Sequence, residues 1–118
     1  MQADRRDQAL ADFEQAIEKD PKLTAAWVDR GQIFLSNKAY DKALADFSHA
    51  IELDPKSDSS YSWRGKTYIA QKNITSAVSD LRKALSLNAI NWVALTSLQA
   101  LQVTKALQQL GQIKKDAG

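Results

Sequence analysis

The chain contains no cysteine. Disulfides, thiolate metal sites and a cysteine nucleophile are therefore excluded, although this leaves the redox compartment open. One histidine, His49, offers no second imidazole for a His-paired metal site or a two-histidine relay. The four glycines, Gly31, Gly65, Gly111 and Gly118, lie too far apart to build a phosphate-cradling loop. Charge of one sign is also missing: 16 basic and 14 acidic residues are intermixed and sum to +2. The doublet Lys114–Lys115 is too short to serve as an electrostatic footprint for nucleic acid or an anionic membrane. No apolar run is long enough to span a bilayer. The opening MQADRRDQAL puts charges where a secretory signal needs an apolar stretch, which favours the cytoplasm.

Proline is scarce as well. Only Pro21 and Pro55 break the chain, and Ala, Leu, Lys, Gln, Asp and Glu fill the long intervals. That composition favours helix over strand. A length of 118 residues suits a single domain with a modest core. The expected fold class is all-α.

What is present is a repetition. ALADFEQAIEKDP, from Ala9 to Pro21, returns 34 residues later as ALADFSHAIELDP, with ten of thirteen letters in place. The same shift superimposes Ala9, Ala43 and Ala77, then Asp12, Asp46 and Asp80, then Phe13, Phe47 and Leu81. It also aligns Ala16, Ala50 and Ala84, and pairs Trp27 with Tyr61, Arg30 with Arg64, Gly31 with Gly65 and Phe34 with Tyr68. A period in the thirties signals stacked supersecondary units rather than a closed globule.

Inside one unit the apolar spacing is helical. Trp27, Gly31, Phe34 and Leu35 share one face, and Ala43, Leu44, Phe47, Ala50 and Ile51 share another. Thr24 is the expected N-cap of the first helix, and Tyr40 or Asp41 opens the second. The linker SNKAY is short enough to force the pair antiparallel. Asp54-Pro55 stops the second helix, because proline disfavours helical geometry in the residue before it. Gly31 is expected where the two axes approach closely, opposite Ala43 and Ala50.

These residues resemble the tetratricopeptide repeat. Trp27, Gly31, Phe34, Ala43, Phe47, Ala50 and Pro55 fill one unit of its pattern. Tyr61, Gly65, Tyr68, Ala77, Leu81 and Ala84 fill a second, with Ala89 in place of the proline. Ala9, Phe13, Ala16 and Pro21 supply the second helix of a partial unit. Arginine stands where the family usually has leucine before its glycine, and the Arg-Gly, ADF and AIE wording points to a bacterial source. The resemblance implies a right-handed α-solenoid of about six helices. Its expected divisions are 1–22 (partial repeat), 23–56 and 57–89 (full repeats), 90–111 (capping helix) and 112–118 (tail).

Two readings of the Arg–Asp period stand side by side: an ion pair joining helices, or arginines reserved for an anionic ligand. At the C-terminal end, Trp92, Leu95, Leu98, Val103, Leu107 and Leu110 are expected to cover the last repeat, with Gly111 ending the helix. Gln99 replaces the repeat's glycine there. At the other end the first helix lacks a partner, so either the chain is a piece of a longer array or that helix supports a homodimer.

Nothing suggests catalysis or a cofactor. His49 is expected on a solvated helix surface, and the pairs Asp12/Glu14 and Glu52/Asp54 point to different helix faces. The expected function is a scaffold binding an unidentified protein or peptide. By the resemblance, the first helix of each unit lines the concave side. Val28, Asp29, Gln32 and Ser36 then project from one unit, and Ser59, Ser62, Trp63, Lys66 and Ala70 from the next. Val93, Thr96, Ser97 and Ala100 follow from the cap. Trp63 stands out because it occupies no packing position of the repeat, and its counterpart is Asp29; it is either an interface anchor or a contact for the cap helix. Some family members hold a chaperone's C-terminal carboxylate with Lys, Asn and Arg. Here the matching places carry Val28, Gln32, Trp63, Val93 and Ser97, so that clamp is missing.

Overall fold

The computed structural model describes the backbone of residues 2–117 and the side chains of residues 5–112. The backbone forms six helices: α1 (Gln2–Lys19), α2 (Thr24–Ser36), α3 (Tyr40–Leu53), α4 (Asp58–Ala70), α5 (Ile74–Leu87) and α6 (Trp92–Ala117). Their borders keep the 34-residue beat, since Thr24, Asp58 and Trp92 open helices and Lys19, Leu53 and Leu87 close them. The turns repeat too. The side-chain oxygens of Asp20, Asp54 and Asn88 each accept from the backbone N–H two residues on, at 3.2, 3.1 and 3.2 Å. Ala89 therefore preserves the turn made at Pro21 and Pro55.

Helices α2 and α4 end in the same way. Lys38 and Lys72 adopt left-handed φ values of 62° and 63°. The N–H of Lys38 donates to Leu35 O and that of Ala39 to Phe34 O; Lys72 and Asn73 repeat this onto Ile69 and Tyr68. This paired arrangement satisfies carbonyls that a helix end otherwise leaves open, and it turns each hairpin antiparallel. At the N-termini, Ser57 accepts from Ser60 N, Asn73 from Ser76 N and Asn91 from Ala94 N. Thr24 is no N-cap. It is the first helical residue, after Leu23, which has no side-chain acceptor to offer.

Each hairpin closes on a small residue. Ala43, Phe47 and Ala50 are wholly buried, as are Ala77, Leu81 and Ala84. A Cβ built on Gly31 would lie 2.5 Å from Phe47 Cε1, and one on Gly65 would lie 2.8 Å from Leu81. The glycines thus let the bulky residue of the facing helix sit against bare backbone. Beside this contact runs a polar clasp. Arg30 Nε and Nη2 donate to both carboxylate oxygens of Asp46 at 2.8 Å. Arg64 does the same to Asp80 at 2.7 and 2.8 Å, and its Nη1 donates to Ser48 at 3.3 Å. The hydrogen bonds to Asp46 and Asp80 raise the already high pKa of each arginine against the opposing effect of burial. These guanidiniums are engaged inside the repeats, and the reading that reserves them for an anionic ligand gives way to the structural one.

The helices stack in sequence order. α2 touches α4, and α4 touches α6, whereas among the described residues α1, α3 and α5 do not touch one another. Crowded inner helices and splayed outer ones define a curved array, with α2, α4 and α6 on the inside. The molecule measures 62 × 35 × 21 Å with a radius of gyration of 16.7 Å. A ball of this length would have a radius of gyration of about 13.5 Å, so the chain is an all-α solenoid.

Two expectations about the C-terminal end are corrected. Gly111 does not end α6, which continues to Ala117; Lys114, Lys115 and the rest of the expected tail beyond Gln112 lie outside the described side chains. The covering face is also different. Ala94, Leu98 and Leu101 pack on Leu81 and Ala84, while Trp92, Leu95, Val103, Leu107 and Leu110 are 45–65% exposed.

Gly31→Ala should lower stability by about 1–3 kcal/mol through overpacking. Adding Phe47→Leu should recover part of the loss in a urea-melt double-mutant cycle, and strict additivity would show that the two residues do not meet. Arg64→Met should cost about 3 kcal/mol by stranding the Asp80 carboxylate. Arg64→Met/Asp80→Leu should regain most of that in the same measurement.

Candidate functional site: the inner face of α2, α4 and α6

Two clefts open along the inner face. One, of about 350 Å³, lies between α2 and α4 and is lined by Thr24, Ala25, Val28, Asp29, Gln32, Asp54, Ser57 and Ser59. The other, of about 220 Å³, lies between α4 and α6; Asp58, Ser59, Ser62, Trp63, Asn88, Ile90, Asn91, Trp92 and Val93 line it. Ser59 borders both, so the clefts form one broken furrow.

The structure sorts the expected site residues by access. Asp29 and Gln32 are half-buried in the first cleft, while Ser59 and Lys66 are exposed. Val28, Ser62 and Ser97 are only 6%, 0% and 8% exposed, which corrects the expectation that they project. Val28 belongs to the core with Ala43, Phe47 and Ala50. Ser62 Oγ donates to Ser59 O at 3.1 Å, and Ser97 lines neither cleft. Val93 is also buried, whereas Ser36, Ala70, Thr96 and Ala100 are exposed.

Trp63 is half-buried and makes the contact with the cap helix that was one of its two expected roles. Its ring packs on the Val28–Phe47 cluster. The Trp63 and Trp92 rings meet in a T-shaped arrangement, with centroids 6.4 Å apart and planes at 89°, a favourable geometry for the aromatic quadrupole. Lys66 Nζ sits 5.2 Å from the Trp63 ring centroid, within cation–π range.

Sequence reasoning missed four members of this site, Trp92, Asp58, Asn88 and Asn91. Trp92 was assigned to the cap's covering face, yet it reaches the furrow. Asp58 Oδ2 accepts from Asn88 Nδ2 at 3.1 Å and from Asn91 Nδ2 at 2.7 Å, and Asn91 Nδ2 also reaches Ser62 Oγ at 3.2 Å. The available signal was Asn88, which stands where Asp20 and Asp54 stand: an amide can donate to Asp58 and a carboxylate cannot. His49, expected on a solvated surface, is half-buried, with its ring centroid 4.1 Å from that of Trp27.

Charge in the furrow is unequal. Asp29, Asp54 and Asp58 line it, no described lysine or arginine lines either cleft, and Lys66 comes near only over the Trp63 ring. Burial raises the Asp29 pKa above its ordinary value.

A curved stack of antiparallel helix pairs, small at the hairpin contacts and furrowed on its inner face, is a helical-repeat interaction module. The particular family is the tetratricopeptide repeat, to which the chain belongs: family models of that description match residues 1–58 and 58–91. No curated protein matches in sequence. Among solved structures, the chain is similar to the first repeat domain of Spaghetti (RPAP3) bound to the HSP90 peptide SRMEEVD. Identity is 22% and the TM-score 0.79, over 89% of this chain and 83% of that one. The Arabidopsis OM64 domain gives 22% and 0.80, over 87% and 85%. YrrB, described as having an unusual peptide-binding site, gives 24% and 0.75, over 83% of this chain and 50% of that one. At these identities the likeness establishes the fold.

Asp29→Asn should raise the melting temperature slightly at pH 7. A carboxylate with a raised folded pKa is penalised above its unfolded pKa and not below it. The gain should vanish as pH falls toward about 3, where both states bind the proton. A gain that persists at pH 3 would point to packing instead.

Proposed function

We propose that this chain is a non-catalytic scaffold, a module of a larger protein, that holds an extended neutral or weakly basic peptide segment along the α2–α4–α6 furrow. The family and fold are those of protein-interaction modules. The observation that carries the ligand class is the composition of the furrow. Trp63 and Trp92 make one aromatic ledge, and Asp29, Asp54 and Asp58 line the clefts beside it. An aromatic anchored on its own core and exposed on one edge is the kind of side chain that dominates an interface. Three carboxylates against one ammonium disfavour an acidic tail such as the peptide bound by the Spaghetti domain. Asp29, Gln32, Ser59 and Lys66 would line the peptide's path. Val28, Ser62 and Ser97 would support it from beneath.

Self-association through the N-terminal helix finds no comparable support. Among the described residues, α1 carries none of the exposed large hydrophobics.

The test is a displayed peptide library selected on the chain, followed by titration of the winners. Selected sequences should be neutral or basic with an apolar anchor, and binding on the order of micromolar. Trp63→Ala should weaken them by about 30-fold or more, with helical circular dichroism retained. Selection of acidic C-terminal peptides, or indifference to Trp63→Ala, would refute the reading.

A further inference from the structure

The exposed apolar surface of this molecule is concentrated at one end. Trp92, Leu95, Val103, Leu107 and Leu110 are 65%, 45%, 56%, 63% and 55% exposed, and all five lie on α6. They recur at helical spacing on the side opposite Ala94, Leu98 and Leu101, which pack on α4 and α5. From Trp92 to Gln112 the helix has one charged residue, Lys105, and it lines the cleft toward α5 with Ile74, Val78 and Arg82. The outward face is thus a stripe several turns long with no charge on it. A solvated helix normally shows charge on its outer face, whereas depletion of charge marks the centre of an interface.

The next helix of a repeat array does not fit this stripe in the repeat's own geometry. Gly31 and Gly65 admit Phe47 and Leu81 because no Cβ stands between them. Gln99 occupies the same place in the third unit, and its side chain fills the space that such a residue needs. The occupant must lie farther out, at the spacing of two helices that both present side chains.

We infer that this stripe is an interface with a second copy of the chain, α6 packing antiparallel on α6 about a two-fold axis near Gln99 and Val103. Two identical uncharged faces meet without repulsion, and Gln99, close to the axis, can hydrogen-bond to its own kind. Antiparallel packing also sets the helix dipoles head to tail, and a two-fold contact is closed and self-complementary. At roughly 60–120 Å² of apolar surface per large side chain, the stripe offers on the order of 300–600 Å² per copy. A pair then falls among weak, reversible interfaces rather than obligate dimers. The dimer would join two solenoids end to end, covering the Trp92 edge of each furrow and leaving the α2–α4 cleft open.

Sedimentation equilibrium of the whole chain from about 1 to about 500 μM tests this. A reversible dimer is expected, with a dissociation constant on the order of tens of micromolar. Val103→Glu, which sets like charges near the axis, and Leu110→Lys, which buries an unpaired charge in the apolar seam, should each weaken it at least about tenfold. At about 1 μM, where the chain is monomeric, melting temperature and helical circular dichroism should not change. Because the chain has no cysteine, Gln99→Cys should form a disulfide-linked dimer under mild oxidation, while Leu110→Cys should not. A wild type that stays monomeric, or a dimer unmoved by both charged variants, overturns the inference. Cross-linking through Leu110→Cys alone overturns the antiparallel arrangement.

Discussion

The structure rests on a close approach of backbone and side chain. Phe47 and Leu81 are wholly buried against α2 and α4 because Gly31 and Gly65 present no Cβ. That contact sets the distance between the helices of each pair, and the Arg–Asp clasp beside it sets their rotation. Arg30 holds both oxygens of Asp46, and Arg64 both oxygens of Asp80. A bidentate guanidinium–carboxylate pair tolerates little angular freedom, so repeated use of one clasp gives repeated hairpins of one shape. Burying such a pair is a weak source of stability by itself; its value here is geometric.

From identical hairpins the curvature follows. Inner helices α2, α4 and α6 touch in succession while the outer ones separate, and this leaves the furrow on the crowded side. The furrow's chemistry is decided by what departs from the repeat. Trp63 replaces the Asp29 of the previous unit, and Asn88 replaces its aspartates, so the third junction has an aromatic ledge and an amide-held Asp58 where the second has open carboxylates.

The fold was readily legible because repetition makes each position visible more than once. Ala43, Phe47 and Ala50 could be read as core from their copies at Ala77, Leu81 and Ala84, and all six are wholly buried. The site was legible in part. Asp29, Gln32, Ser59 and Trp63 do meet in the furrow. Val28, Ser62 and Ser97 share the nominal inner helices but are buried, Val28 and Ser62 at the base of the clefts, since a helix face about 100° wide divides into a lining edge and a packing edge that spacing alone does not separate. The C-terminal helix was misread for a related reason. Both sides of α6 carry apolar residues, and period alone names neither as the buried one.

The sequence by itself determined the repeated helices and the register of their pairing, though not the end of α6, because local propensity, turn chemistry and a 34-residue echo all agree. Tertiary structure alone decided which edge of each inner helix meets solvent. It also turned the Leu98 side of α6 inward and left the Trp92 side open. These outcomes depend on how far one hairpin rotates against the next, a quantity fixed by packing between units and written in no single segment of the chain.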